Sequence, residues 1–132
     1  MAGTSLEKKL RMAPGQRMVI LGEKEATHLV RDCAPEGVEW CTAEDKNVDY
    51  VHIFARYQTQ LMELLPLAQA CIKHDGLLWI SYPKKSAKTN TDLDREITWQ
   101  VVEPFGIRPV MQISVDSTWS ALRFRPKDMV GK

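Results

Sequence analysis

The residues of this chain best suited to chemistry fall in three short stretches, each at the end of an apolar run. Gly22-Glu23-Lys24 follows RMVIL, Ala55-Arg56-Tyr57 follows VDYVHIF, and Tyr82-Pro83-Lys84-Lys85-Ser86 follows LLWIS. Guanidinium, ammonium, hydroxyl and phenol groups together make a donor set for an anionic or nucleotide-like ligand. The competing role for Lys84 and Lys85 is simply to solvate an exposed loop. Glu23 has two readings. It can pair with Arg56, Lys84 or Lys85 and fill the space between them with a salt bridge. Alternatively it is a general base, which requires a pKa raised by burial.

Other chemistries find less support in the sequence. His28, His52 and His74 have no metal-ligand spacing with one another or with the cysteines. His52, inside VDYVHIF, reads as a packed or edge histidine rather than a catalyst. There is no Gly-x-Ser-x-Gly nucleophile turn. Cys33, Cys41 and Cys71 are odd in number and contain no Cys-x-x-Cys pair, a pattern of reduced core thiols rather than of a disulfide frame. Trp79, Trp99 and Trp119 are expected to anchor the core, with Trp40 at its periphery. Buried rings at strand and helix spacing serve packing more often than base stacking.

The elements that must position these residues follow from periodicity. Ser5 to Met12 reads as a short lead-in helix, closed by the Pro14-Gly15 turn. RMVILG is a short buried strand ending at Gly22. Ala26, Leu29, Val30 and Cys33 fall at i, i+3, i+4 and i+7, one face of a helix that Pro35-Glu36-Gly37 stops. VEWC and VDYVHIF are further strands, the second apolar enough for burial on both faces. Leu61, Leu64, Leu65, Ala68 and Ile72 repeat at helical spacing between Thr59 and Lys73, with Pro66 expected to kink or restart the helix. Asp75-Gly76 turns the chain into LLWIS. Thr91 reads as the N-cap of a helix carrying Leu93, Ile97, Val101 and Val102, which ends near Pro104-Phe105-Gly106. IRPVMQISV and WSALRFR, separated only by DST, must be an antiparallel pair. On the second of these, Arg123 and Arg125 alternate with Leu122 and Phe124 and are expected to face solvent, with Arg108 across the hairpin. The predicted fold is an α/β three-layer sandwich. Its six-stranded sheet is mostly parallel and ends in an antiparallel hairpin. The three donor stretches then gather beyond the carboxyl ends of the parallel strands, where open α/β sheets bind ligands.

Composition narrows the class further. At 132 residues, with 44% hydrophobic and 27% charged residues, the chain is expected to form one soluble domain, 1–132. A net charge of +1 supplies no field toward nucleic acid or an anionic membrane. The opening stretch MAGTSLEKKLRMAPGQ lacks an apolar core of signal-peptide length, and runs such as Met18–Leu21 and Leu77–Ile80 are too short to span a bilayer. A cytoplasmic location is the expectation. The partners left open are an anionic small molecule at the crevice, or another protein or a second copy of the chain paired through an edge strand or the hairpin.

The order of elements resembles the class I S-adenosylmethionine-dependent methyltransferases, a Rossmann-like family. APGQRMVILG is similar to the turn, first strand and first glycine of that family. VDYVHIF is similar to its fourth strand, with Asp49 at the acidic start, and LLPLAQACIKHDGLLWIS to its following helix, turn and fifth strand. The closing hairpin matches the antiparallel end of the family's sheet. More narrowly, DGLLWISYPKKS, TDLDREI and VDSTWSALRFRP resemble a family of short bacterial proteins of unknown function with a trimmed version of that fold.

The resemblance implies a crevice for S-adenosylmethionine, from which this chain departs in three ways. Gly22 is followed by Glu23-Lys24-Glu25-Ala26, without the further glycines that let a cofactor approach the backbone. Thr42 stands after VEWC where the family has an acidic residue for the ribose, with Glu44 nearby. Between Trp40 and Val48 there is room for a turn, so one strand–helix unit is missing. The sequence therefore assigns no cofactor and predicts no strong binding of S-adenosylmethionine. It reads as a non-catalytic binding or regulatory module with a degenerate cofactor loop. The alternative is a divergent enzyme, a methyltransferase or other, that takes an anionic or nucleotide-like ligand at the strand ends.

Overall fold

The computed structural model describes residues 5–130; the first four residues of the opening stretch lie outside them. The elements in chain order are α1 (Leu6–Lys9), β1 (Arg17–Gly22), α2 (Lys24–Arg31), β2 (Glu39–Trp40), β3 (Val48–Phe54), α3 (Gln58–Cys71), β4 (Ile72–Pro83), α4 (Arg95–Val102), β5 (Ile107–Ser114) and β6 (Trp119–Pro126). The strands form one six-stranded sheet in the order β2-β1-β3-β4-β6-β5. β2, β1, β3 and β4 run parallel, and β6 is antiparallel to both β4 and β5. From β1 the chain moves outward to β2 and then returns to the other side of β1 as β3. The order therefore reverses between β1 and β3.

Side-chain alternation divides the core into two layers, one on each face of the sheet. Val19, Val51, Ile53, Leu78, Ile80, Leu122 and Phe124 meet Leu61, Leu65 and Ala68 of α3 and Val102 of α4. Met18, Tyr50, Phe54, Trp79, Trp119 and Ala121 meet Leu10, after α1, and Ala26 and Val30 of α2. Every residue of β3 except Asp49 is buried, as its continuous apolar run requires. Trp79 Nε1 donates to the Leu10 carbonyl at 3.1 Å, tying the α1 segment to the middle of the sheet. At the opposite end, Asp49 accepts from Arg17 N at 2.8 Å and meets Lys73 Nζ at 2.7 Å. The Arg17 amide and then Lys73 hold that carboxyl below its ordinary range.

Several local expectations need correction. α3 runs unbroken through Pro66. Pro66 and Met62 both lie on the solvent side, so the Met62 carbonyl that loses its i+4 donor can be hydrated. VEWC forms only a two-residue strand, Glu39–Trp40. The Asp75-Gly76 turn sits within β4 as an irregularity between the pairs Val48↔Ile72 and Tyr50↔Leu77. Asp94, not Thr91, caps α4, accepting from Ile97 N at 2.8 Å. Thr91 instead donates to the Arg56 carbonyl and accepts from Leu93 N. Trp99 is 42% exposed rather than core; its indole donates to Glu103 at 3.0 Å along the outer face of α4. Arg123 and Arg125 are half-buried rather than solvent-facing. Arg125 grips both carboxylate oxygens of Asp75, at 3.0 and 2.8 Å. No helix among the described residues is long and apolar enough to cross a membrane.

Candidate functional site

The crevice at the reversal between β1 and β3 starts at Gly22. Its φ is +108°, and a Cβ there would lie 1.9 Å from the Phe54 carbonyl oxygen. This glycine is therefore required by the close approach of the two strands. The next amide, Glu23 N, donates to that same Phe54 oxygen at 3.0 Å, and the chain turns into α2.

The Glu23 carboxylate points across the crevice to Arg56. Arg56 Nε lies 3.0 Å from Glu23 Oε1, and Gln60 Nε2 donates to Glu23 Oε2 at 2.7 Å. The rest of the guanidinium is also engaged. One terminal nitrogen meets Thr89 Oγ1, the other reaches Glu25 at 3.3 Å, and the guanidinium carbon stands 5.4 Å from the centre of the Trp119 ring. The backbone of Arg56 is pinned as well. Its amide donates to Gln60 Oε1 at 2.9 Å, and its carbonyl accepts from Thr91 Oγ1 and Asp92 N. The Arg56 and Glu23 side chains retain only 21% and 19% exposure. In so enclosed a place, removing one partner strands the other charge. The Glu25 carboxyl is lowered chiefly by its own backbone amide, with Glu23 and Arg56 adding to the effect.

The lysine loop lies away from this pair. Lys84 N donates to the Thr118 carbonyl at 2.7 Å, and Lys84 Nζ to Ser114 Oγ at 2.6 Å, which fixes the loop on the β5–β6 hairpin. Lys85 Nζ is 3.8 Å from Asp94 and its side chain is 85% exposed. Of the partners open to Glu23 from the sequence, it takes Arg56 and neither lysine. Tyr82, Lys84 and Lys85 instead line a separate cleft of about 490 Å³ together with Arg95, Gln112 and Ser120, with Asp94 and Glu96 at its α4 side. Gln112 Nε2 donates to Tyr82 Oη at 3.2 Å and to Ser120 Oγ at 3.1 Å. Burial raises the Tyr82 phenol above its ordinary value, so it stays protonated. Ser86 sits exposed in the short 3₁₀ turn Lys85–Ala87, and Tyr57 opens α3 with its ring exposed. The eight residues singled out in the sequence thus divide, with Gly22, Glu23 and Arg56 in one place and Tyr82, Lys84 and Lys85 in another.

Gln60, Thr89, Arg95, Gln112 and Ser120 were not singled out in the sequence. Only Ser120 carried a signal, as a polar residue between Trp119 and Ala121 on a buried stretch of strand. Each of the others acquires its role from tertiary placement.

A third polar group is sealed from both places. His52 is fully buried, with Tyr50 Oη 2.9 Å from Nδ1 and Ser81 Oγ 2.6 Å from Nε2, and its ring stacks on Phe54 at 4.4 Å. Burial lowers its pKa from 6.5 to about 3. A neutral imidazole has one donor and one acceptor nitrogen, so one hydroxyl donates to the ring and the other accepts from it. Of the packed and edge roles open from the sequence, the structure takes the packed one. Burial also raises the Cys33, Cys41 and Cys71 thiols, which makes them poor nucleophiles. Among the described residues no three metal-ligating side chains come together.

No protein-family model and no curated protein matches the sequence. Solved structures match its fold over most of its length. A SAM-dependent methyltransferase from Aquifex aeolicus is similar with a TM-score of 0.56 and 15% identity, over 89% of this chain and 85% of that one. A ribosomal protein methylase from Lactobacillus delbrueckii gives 0.60 at 10% identity, over 91% and 74% of the two chains. The N-methyltransferase NodS from Bradyrhizobium japonicum, in complex with S-adenosyl-L-homocysteine, gives 0.58 at 10% identity, over 92% and 83%. The chain has a methyltransferase-like Rossmann fold.

Proposed function

We propose that the chain is a single-domain, non-catalytic binding or regulatory module on a methyltransferase-like scaffold, with its cofactor crevice closed from within. The observation that carries this reading is the Glu23–Arg56 pair at the reversal of strand order, at 3.0 Å and mostly buried. Open α/β sheets bind their ligands at that point. A cofactor there would have to displace the ion pair, together with the Gln60 and Thr89 contacts that complete it. The ribose side lends further support. The Thr42 amide and hydroxyl both turn to Asp45 within a local turn, where an acidic acceptor would be needed.

Calorimetric titration of the full chain with S-adenosylmethionine tests the reading. No saturable heat is expected up to millimolar ligand, and a micromolar dissociation constant would overturn the reading. A second reading, an enzyme acting on an anionic ligand at the strand ends, draws on the open cleft beside Lys84 rather than on the closed crevice.

A further inference from the structure

The cleft beside the lysine loop has an uneven balance of charge. Asp94 is already committed, one oxygen to the Ile97 amide at 2.8 Å and the other facing Lys85 at 3.8 Å. Glu96 is exposed, at a lip shared with the neighbouring cavity beside Trp99. Lys84 has only a neutral hydroxyl, Ser114, as its side-chain partner. Arg95 has no carboxylate within 4.0 Å among the described residues. It also stands in the first turn of α4, where the helix dipole disfavours a cation. Among the described residues, two cations with no carboxylate within 4.0 Å therefore border a cleft that Asp94 and Glu96 also line.

The inner wall of the cleft is polar and fixed. Tyr82 and Ser120 are 4% and 5% exposed, and the Gln112 amide spans both hydroxyls. The Tyr82 hydroxyl also faces that of Ser120, its cross-strand partner. The wall thus presents hydroxyls and an amide at short spacing, suited to the alternating donors and acceptors of a polyol. Helix, loop and hairpin border an open cleft of about 490 Å³, in the size range of small-molecule sites.

From this juxtaposition we infer that the cleft is a binding site for a small sugar phosphate, with the phosphate between Lys84 and Arg95 and the hydroxyls on Tyr82, Gln112 and Ser120. The inference rests on the reading of the chain as a binding module, yet it concerns a place apart from the closed crevice. A result with S-adenosylmethionine therefore decides one question and leaves the other standing.

Calorimetric titration of the full chain with ribose 5-phosphate, inorganic phosphate and ribose tests it. Saturable binding is expected for ribose 5-phosphate, weaker binding for phosphate and none for ribose. Lys84→Ala and Arg95→Ala should each weaken ribose 5-phosphate about tenfold or more, as expected for losing a charge-assisted contact. Gln112→Ala should weaken ribose 5-phosphate while leaving phosphate unchanged, and Arg56→Ala should change neither. Arg95 is exposed on a helix where alanine is the better helix former, so Arg95→Ala will fold even if another variant does not. Absence of saturable binding by ribose 5-phosphate, or binding that survives Arg95→Ala unchanged, would overturn the site. Equal affinity for phosphate and ribose 5-phosphate would overturn the sugar assignment.

Discussion

His52 shows how strongly a single position can be governed by its surroundings. The ring sits between two hydroxyls in the middle of a sheet covered on both faces, where a positive charge has no compensating partner. With a folded pKa near 3 against 6.5 in the open chain, the unfolded state binds more protons across that interval. The contribution of His52 to stability is therefore complete above pH 6.5 and declines as the pH falls toward 3. The slope approaches about 1.4 kcal/mol per pH unit. Urea unfolding between pH 7 and pH 5 should show this decline, and the His52 ring signals should stay at their neutral positions throughout. Gly22 provides a second test on this scale. Gly22→Ala places a Cβ against the Phe54 carbonyl at a positive φ and should cost roughly 3 kcal/mol in the same unfolding experiment. The sequence showed that Gly22 closes a strand. It could not show that the glycine serves the neighbouring strand, because that contact arises only when β1 and β3 pair.

Among the elements, α3 and α4 separate what periodicity can say from what it cannot. The leucines of α3 recur at helical spacing, so the helix and its buried face were legible. The proline suggested a kink or a restart, yet both Pro66 and Met62 are exposed, so the carbonyl left without its donor is open to hydration. Pro66→Ala should still stabilise the protein, by about 1 to 2 kcal/mol, because it restores the hydrogen bond and removes the ring's clash, offset by the gain in unfolded-chain freedom. A shift in the urea midpoint with an unchanged slope would register it. For α4 the existence of the helix was legible and its cap was not. Thr91, Asp92 and Asp94 are all good capping types, and the choice of Asp94 depends on Thr91 being drawn away to the Arg56 carbonyl. Asp94→Ala should cost about 1 kcal/mol and speed amide exchange in the first turn of α4. The outward Trp99 has a similar cause. Helical spacing could not tell which side of α4 the sheet would cover, and the sheet takes Thr98 and Val102 instead.

Across the whole molecule, a mostly parallel six-stranded sheet ending in an antiparallel hairpin was readable. Tight hairpins, long crossovers and a short Trp40–Val48 interval leave few topologies. What could not be read was how the strand-end loops divide between two places. Lys84 and Arg56 both follow parallel strands. The insertion of β6 beside β4, however, draws the lysine loop onto the hairpin and leaves Arg56 facing Glu23. The molecule thus keeps the frame of a methyltransferase-like fold while two of its own side chains occupy the point of strand reversal. Nitrogen–proton correlation spectra of the full chain, recorded with increasing S-adenosylmethionine, test this most directly because they report location as well as affinity. The amide signals of Gly22, Glu23, Lys24 and Arg56 are expected to remain unmoved up to millimolar ligand. Saturating shifts of those same signals at micromolar ligand would contradict the account.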